Sequence, residues 1–260
     1  MTPTEVRSRL IENGYVPVPC DGKDAKSEQW ERRTLETAQA ALTMWARDFP
    51  NASNTGMLCV TAPTLDIDVL DTEAVDAAVA LVQERFGGRG KILLRYGRRP
   101  KVAIPFRTDA PFKKIGAELI APDGGTDQKI EFLAMGQQVV VHGVHPDTRE
   151  PYQWSNGNPG KIRREELPPI TADEARTLLD AITALIEPLG YRRIGKASKK
   201  TKGNGHAGSL DAPSGIDQWG YVQANIIAGR ALHASIRDLA IRLVMSGMSG
   251  GAAVNTCCAG

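Results

Sequence analysis

The run Thr64-Leu65-Asp66-Ile67-Asp68-Val69-Leu70-Asp71 leaves the backbone few choices. Ile67 and Val69 alternate with Asp66 and Asp68, the period of a strand buried on one face. A strand here points Ile67 and Val69 into a core and sets Asp66 and Asp68 side by side on the other face. Carboxylates so placed repel, and one holds a proton unless a positive group lies between them. A hard divalent cation such as Mg2+ meets that need, because it takes oxygen ligands and is often held by one or two carboxylates plus substrate phosphates. The plainer alternative is a solvated strand end, since Asp-x-Asp arises often by chance.

A chain of 260 residues allows one large domain, or a domain with a smaller piece. Its net charge of +2 is no polycation, so any nucleic-acid affinity must come from local clusters. There is no secretory-signal pattern and no apolar run long enough to span a membrane. Cys20, Cys59, Cys257 and Cys258 show no Cys-x-x-Cys spacing, which argues against a zinc site or a disulfide framework. The expected compartment is the reducing cytoplasm, with no membrane partner.

Helices are predicted over 4–13, 34–48, 72–86 and 171–189. Thr2 or Thr4 is the expected cap of the first, and Thr171 with Glu174 forms a capping-box pattern on the last. The expected buried stripes are Leu35, Ala38, Leu42 and Trp45 on the second helix and Val75, Ala78, Val79, Val82 and Phe86 on the third. Leu178, Leu179, Ile182 and Leu185 are that face of the fourth. Residues 15–19 read as an extended run whose prolines suit an edge strand or a loop. Strands are predicted at 57–60, 65–70, 92–96, 102–107 and 128–134, another lies within 136–146 and ends in a turn, and an edge strand is expected near Trp154. The first two of these read as a hairpin joined at 61–64.

Arg95, Arg98, Arg99 and Lys101 gather on one strand–turn–strand unit about thirty residues after the Asp pair. Such a turn is often merely solvated. A βαβ-like connection would bring it to the face that carries the carboxylates, and a metal site beside a phosphate cradle is what nucleotidyl transfer needs. Lys23, after Gly22, is either another phosphate contact or a surface lysine. Glu131 in Lys129-Ile130-Glu131-Phe132 is either a third acidic ligand from a neighbouring strand or a surface glutamate paired with Lys129. His142 and His145 lack further nearby His or Cys partners, which argues against zinc.

Residues 191–215 read as a basic flexible linker. Arg192, Arg193, Lys196, Lys199, Lys200 and Lys202 stand there with no acid before His206, and they could follow a nucleic-acid backbone. Residues 216–260 read as a partial helical module that stops in mid-element, which predicts a piece of a longer protein.

Together these features resemble the bifunctional primase/polymerase domain of the archaeo-eukaryotic primase superfamily, found at the N-termini of phage and plasmid replication proteins. The resemblance rests on Gly14 to Pro19, Gly22-Lys23, Trp30 and Asn54-Thr55-Gly56. It rests also on Leu65 to Asp68, on Lys129 to Phe132, on Gln138 to Val141, and on His145 to Thr148 before Tyr152 and Trp154. It implies an α+β domain over 1–190, in which an RRM-like antiparallel sheet core adjoins an α/β unit. It implies two Mg2+ or Mn2+ ions on Asp66, Asp68 and Glu131, and nucleotide contacts from Arg95, Arg98, Lys101 and His145. It implies an NTP or dNTP substrate, a single-stranded DNA template and a helicase domain following in the longer protein. One departure is visible: related domains carry a small-x-His motif on the hairpin between the acidic motifs. Here Tyr96-Gly97-Arg98-Arg99-Pro100-Lys101 stands there without a histidine, and Lys101 is the candidate to replace it. A metal-dependent nuclease on the same carboxylates, or a catalytically degenerate nucleic-acid-binding replication module, are the alternatives.

Overall fold

The computed structural model describes residues 1–194. The elements run α1 (Pro3–Glu12), β1 (Pro17–Asp21), β2 (Asp24–Ala25), α2 (Leu35–Asp48), β3 (Asn54–Leu58), β4 (Thr64–Asp68) and α3 (Thr72–Phe86). They continue with β5 (Leu94–Tyr96), β6 (Val102–Pro105), β7 (Ile115–Ile120), β8 (Gln128–Leu133), β9 (Gln138–His142), β10 (Gln153–Ser155), α4 (Ala172–Ile186) and β11 (Arg192–Arg193). Every strand pairing is antiparallel. The smaller sheet has the order β2-β1-β3-β9, the larger β10-β5-β6-β4-β8-β7-β11. The mixed architecture is that of an α+β primase-polymerase fold.

Helix starts follow local chemistry. The Thr2, Thr34 and Thr171 hydroxyls each accept from the N–H three residues on, and Glu5, Thr37 and Glu174 close the reciprocal bond, satisfying donors the helix leaves free. Strand β4 obeys its alternation: Leu65 and Ile67 are buried, while Asp66 and Asp68 are part-exposed on the opposite face. Ile104, Ile130 and Phe132 join the buried layer. Phe106 packs edge-on to Phe86 of α3 and tilted against Phe132, with ring centroids 5.2 and 5.7 Å apart. Helices α3 and α4 touch each other, and α4 lies on β7 and β8. The opposite face of the sheet is thereby left for polar side chains. The smaller sheet has a second core, with Trp45 of α2 fully buried against Val16, Val18 and Val140.

Several expectations fail. The stretches at 57–60 and 65–70 are not a hairpin: β3 pairs with β1 and β9 in the smaller sheet, and β4 takes β6 and β8 in the larger. A strand with apolar partners available on both edges gains more from them than from its neighbour in sequence. The 15–19 run is no edge either, since β1 lies between β2 and β3. Strand β7 was not anticipated. Leu35 and Leu185 are exposed, at 38% and 41%, while Ala41 and Ile186 of the same helices are buried. Tyr191 to Ile194 belong to the fold rather than to a linker. Arg192 and Arg193 pair with Ile120 and Leu119, and the Ile194 N–H donates to Glu118 O at 2.8 Å. The rest of the expected linker and the helical module lie outside the described residues.

Candidate active site

Strand register decides which side chains meet. Asp66 lies directly opposite Ala103 on β6 and Glu131 on β8; Ala103 in turn faces Arg95, and Glu131 faces Gly116. One row across the larger sheet therefore reads Arg95, Ala103, Asp66, Glu131, Gly116. Directly opposed residues share a face, with Cβ atoms roughly 4.5–5.5 Å apart. The small residues at Ala103 and Gly116 leave room for the charged ones between them. Asp68, one step along the same face, lies opposite Lys129.

Above this row is a cleft of about 220 Å3, lined among others by Asp66, Asp68, Arg95, Arg98, Lys101 and His145. Asp66, Asp68 and the basic turn, far apart in sequence, thus share one surface. Lys23, Gly97, Gln138, Asp147 and Tyr152 complete much of its wall. Glu131 is not in the cleft lining; its side chain is only 6% exposed.

Each carboxylate has a cation. Arg95 Nη2 lies 4.0 Å from Asp66 Oδ1, Lys101 pairs with Asp68, and Glu131 takes Lys114 at 2.5 Å and Lys129 at 2.8 Å. Burial raises the pKa of Asp66; Arg95 opposes this, while Asp68 and Glu131 add to it. Burial would raise Glu131 as well, but the hydrogen bonds from Lys114 and Lys129 outweigh it and hold that carboxyl below its ordinary value. The Glu131 hydrogen bond in turn raises Lys129. Lys114 comes from a stretch that no sequence pattern singled out, and its role is set by the β7–β8 pairing alone.

The opposite wall is built around Tyr152. The Arg95 guanidinium lies over its ring at 4.9 Å, and His145 meets it edge-on with centroids 5.4 Å apart. A Cβ at Gly97 would stand 2.6 Å from His145 Cδ2 and 2.7 Å from Tyr152 Cε1, so only glycine lets the hairpin approach these rings. His145 Nδ1 accepts from the N–H groups of Asp147 (3.3 Å) and Thr148 (3.4 Å). Burial, and after it Lys23, lower its pKa. Arg99 is not in the cleft lining; it stacks on Tyr96, 3.7 Å from the ring centroid.

Two side-chain amides hold the wall in place. Asn54 is 2% exposed; its Nδ2 donates to Gly22 O (2.9 Å) and Val144 O (2.8 Å), and its Oδ1 accepts from Val144 N (2.8 Å). Gln138 Nε2 donates to Lys23 O at 2.8 Å. The turns that carry Lys23 and His145 are thereby tied to β3 and β9. Of the tail cations, Arg193 forms a 2.6 Å ion pair with Asp180, and Arg192 sits beside it on the sheet edge. Lys196, Lys199, Lys200 and Lys202 lie outside the described residues.

Asp66 and Asp68 offer the hard oxygen donors that Mg2+ and Mn2+ take, and both open onto the cleft. That donor chemistry fits a divalent cation. Among the described residues, no three His, Cys, Asp or Glu side chains form a ready-made metal set. No helix there is long and apolar enough to cross a membrane.

A sheet backed by helices on one face, with paired carboxylates and a basic cleft on the other, defines an α+β domain of the primase-polymerase type. The model of the family described as "Bifunctional DNA primase/polymerase, N-terminal" matches residues 8–171, and the chain belongs to that family. No curated protein matches the sequence. The family gives the chain a primase/polymerase type of function, which is nucleotidyl transfer in DNA replication.

Proposed function

We propose that the chain joins nucleotides on a single-stranded DNA template, with divalent cations held by Asp66, Asp68 and Glu131. The observation that carries this reading is the shared cleft: Asp66 and Asp68 on one wall, and Lys23, Arg95, Arg98, Lys101 and His145 around them. Carboxylates beside so many cations suit a ligand that is itself polyanionic and arrives with metal, as a nucleoside triphosphate does. Arg95, fixed against Tyr152, and Arg98, Lys101 and Lys23 would bind the triphosphate and hold the α-phosphate beside the carboxylates. Gly97 would let the hairpin that carries Arg95 and Arg98 pack against His145 and Tyr152, and so set those cations beside the nucleotide. Bound divalent cations would supply Lewis-acid activation of the attacking oxygen and neutralise the leaving group. The 3′-hydroxyl of a primer, or of a first nucleotide, attacks the α-phosphate and pyrophosphate leaves. The residues mainly position and neutralise, which is most of what phosphoryl chemistry asks of a protein.

The setting we propose is phage- or plasmid-type replication, with a helicase domain following in a longer protein and Lys196 to Lys202 on the template backbone. The test is incubation with single-stranded DNA, Mg2+ or Mn2+, and α-labelled nucleotides. Longer labelled products support the reading. Breakdown of labelled DNA without nucleotides would indicate a nuclease on the same carboxylates. Nucleic-acid binding without either product would indicate a non-catalytic replication module.

A further inference from the structure

Four side-chain cations touch the three carboxylates: Arg95 at Asp66, Lys101 at Asp68, and both Lys114 and Lys129 at Glu131. These groups already carry an excess of positive charge before any ligand arrives. Lys101 is the cation paired with Asp68. Strands β4 and β6 pair Asp66 with Ala103 and Ile67 with Val102, where the ladder ends, and continuing that register one step sets Lys101 opposite Asp68. The contact follows from strand register and needs no chance reach of a long side chain. Both side chains are about three-quarters buried, at 27% and 26% exposure, and both line the cleft. A shielded pair of this kind is stronger than a surface ion pair. On the other side of Asp68 the cross-strand neighbour is Lys129, whose ammonium is engaged by Glu131.

We propose that Lys101 is the resident counter-cation of Asp68 and exchanges it for the triphosphate of an incoming nucleotide, so that the Asp66–Asp68 pair holds a divalent cation only together with nucleotide. This rests on the nucleotidyl-transfer reading. An ammonium and a divalent cation compete for the same carboxylate. An ammonium held against a shielded carboxylate opposes an incoming divalent cation with little screening, so one lysine is enough to depress metal affinity by about tenfold. A triphosphate offers Lys101 a stronger partner and brings negative charge to the cation at the same time. The coupling is reciprocal: nucleotide tightens the cation by the factor that the cation tightens nucleotide. A histidine at this place would be neutral for much of the physiological range, and a lysine is not, so this chain carries a stricter order of binding than a histidine would impose.

The experiment is a Mn2+ titration of the full chain, following free Mn2+ by electron paramagnetic resonance, with and without α,β-methylene-dATP or α,β-methylene-ATP. Titration of the analogue alone is subtracted. The proteins are wild type, Lys101→Met, Lys101→Arg and Asp66→Ala/Asp68→Ala, each checked for folding by circular dichroism. Wild type should bind Mn2+ weakly alone and about tenfold or more tightly with the analogue. Lys101→Met should tighten nucleotide-free binding by about tenfold and shrink the coupling, while Lys101→Arg should keep the wild-type pattern. Lys101→Met binding Mn2+ no better than wild type, with binding abolished in the double variant, overturns the role of Lys101 alone. Mn2+ binding that survives Asp66→Ala/Asp68→Ala overturns the functional reading beneath it. Should Lys101→Met fail to fold, wild type decides: equal Mn2+ affinity with and without analogue overturns the proposal.

Discussion

Replacing Asn54 with alanine tests how the cleft wall is held. The side chain is 2% exposed and makes three hydrogen bonds, to Gly22 O, Val144 O and Val144 N, across 32 and 90 residues of sequence. Asn54→Ala removes all three and leaves one N–H and two carbonyls to find other partners. At about 1 kcal/mol per lost bond, with part of the desolvation penalty recovered by water at this half-open site, the loss comes to about 2–3 kcal/mol. In a domain of this size that lowers Tm by roughly 5–10 °C. Asn54→Asp keeps the acceptor but sets a second carboxylate oxygen against two carbonyls, so it should cost at least as much. Because the bonds tie down the turns of Lys23 and His145, a nucleotide analogue should also bind more weakly to Asn54→Ala than to an exposed control such as Glu73→Ala. Denaturant unfolding and fluorescence titration give the two numbers. A stability change under about 0.5 kcal/mol, the scale of an ordinary surface substitution, together with unchanged analogue binding would refute the reasoning.

Other expectations follow from the same wall. Gly97→Val should weaken nucleotide binding several-fold, because its side chain meets the His145 and Tyr152 rings; isothermal titration with a nucleotide analogue checks it. Gly143→Ala should destabilise by about 2 kcal/mol or more, since Gly143 has φ +116° and its new Cβ would lie on Asn54 Oδ1. The histidine at 145 has a lowered pKa, so the folded protein binds fewer protons there than the unfolded chain. Stability should therefore fall as pH drops below the ordinary value of 6.5 through that window, and His145→Gln should flatten the slope in pH-dependent unfolding. Lys114→Met leaves Glu131 with Lys129 as its one ion-pair partner among the described residues; the Glu131 carboxyl, followed by carbon-13 NMR, should titrate at higher pH than in wild type.

The site was legible in the sequence to the extent that it is local. Alternation at Leu65 to Asp68 gave the strand and its acidic face, and the clustering at Arg95 to Lys101 gave the basic turn. Four helices and most strands followed from periodicity and capping threonines. What escaped depends on long-range pairing. No local pattern shows that β3 leaves β4 for the smaller sheet, or that β8 sets Glu131 opposite Asp66. No sequence pattern singles out Lys114, and Lys129 offers the plainer reading of Glu131 as a surface glutamate, whereas register makes both part of the site. Asn54 and Gln138 were visible only as members of a family motif, because what they do is to bind backbone carbonyls far away in the chain. The exposed Leu35 and Leu185 show the limit of helical stripes, whose edge positions depend on where the neighbouring element ends.

The most direct test of the central claim is product analysis on a homopolymeric single-stranded DNA template, wild type beside Asp66→Ala/Asp68→Ala, with Mn2+ and each labelled nucleotide in turn. The account predicts elongated products from the wild type with the complementary nucleotide only, and none from the double variant. Products that persist in the double variant, or none from the wild type with either Mn2+ or Mg2+, would contradict it.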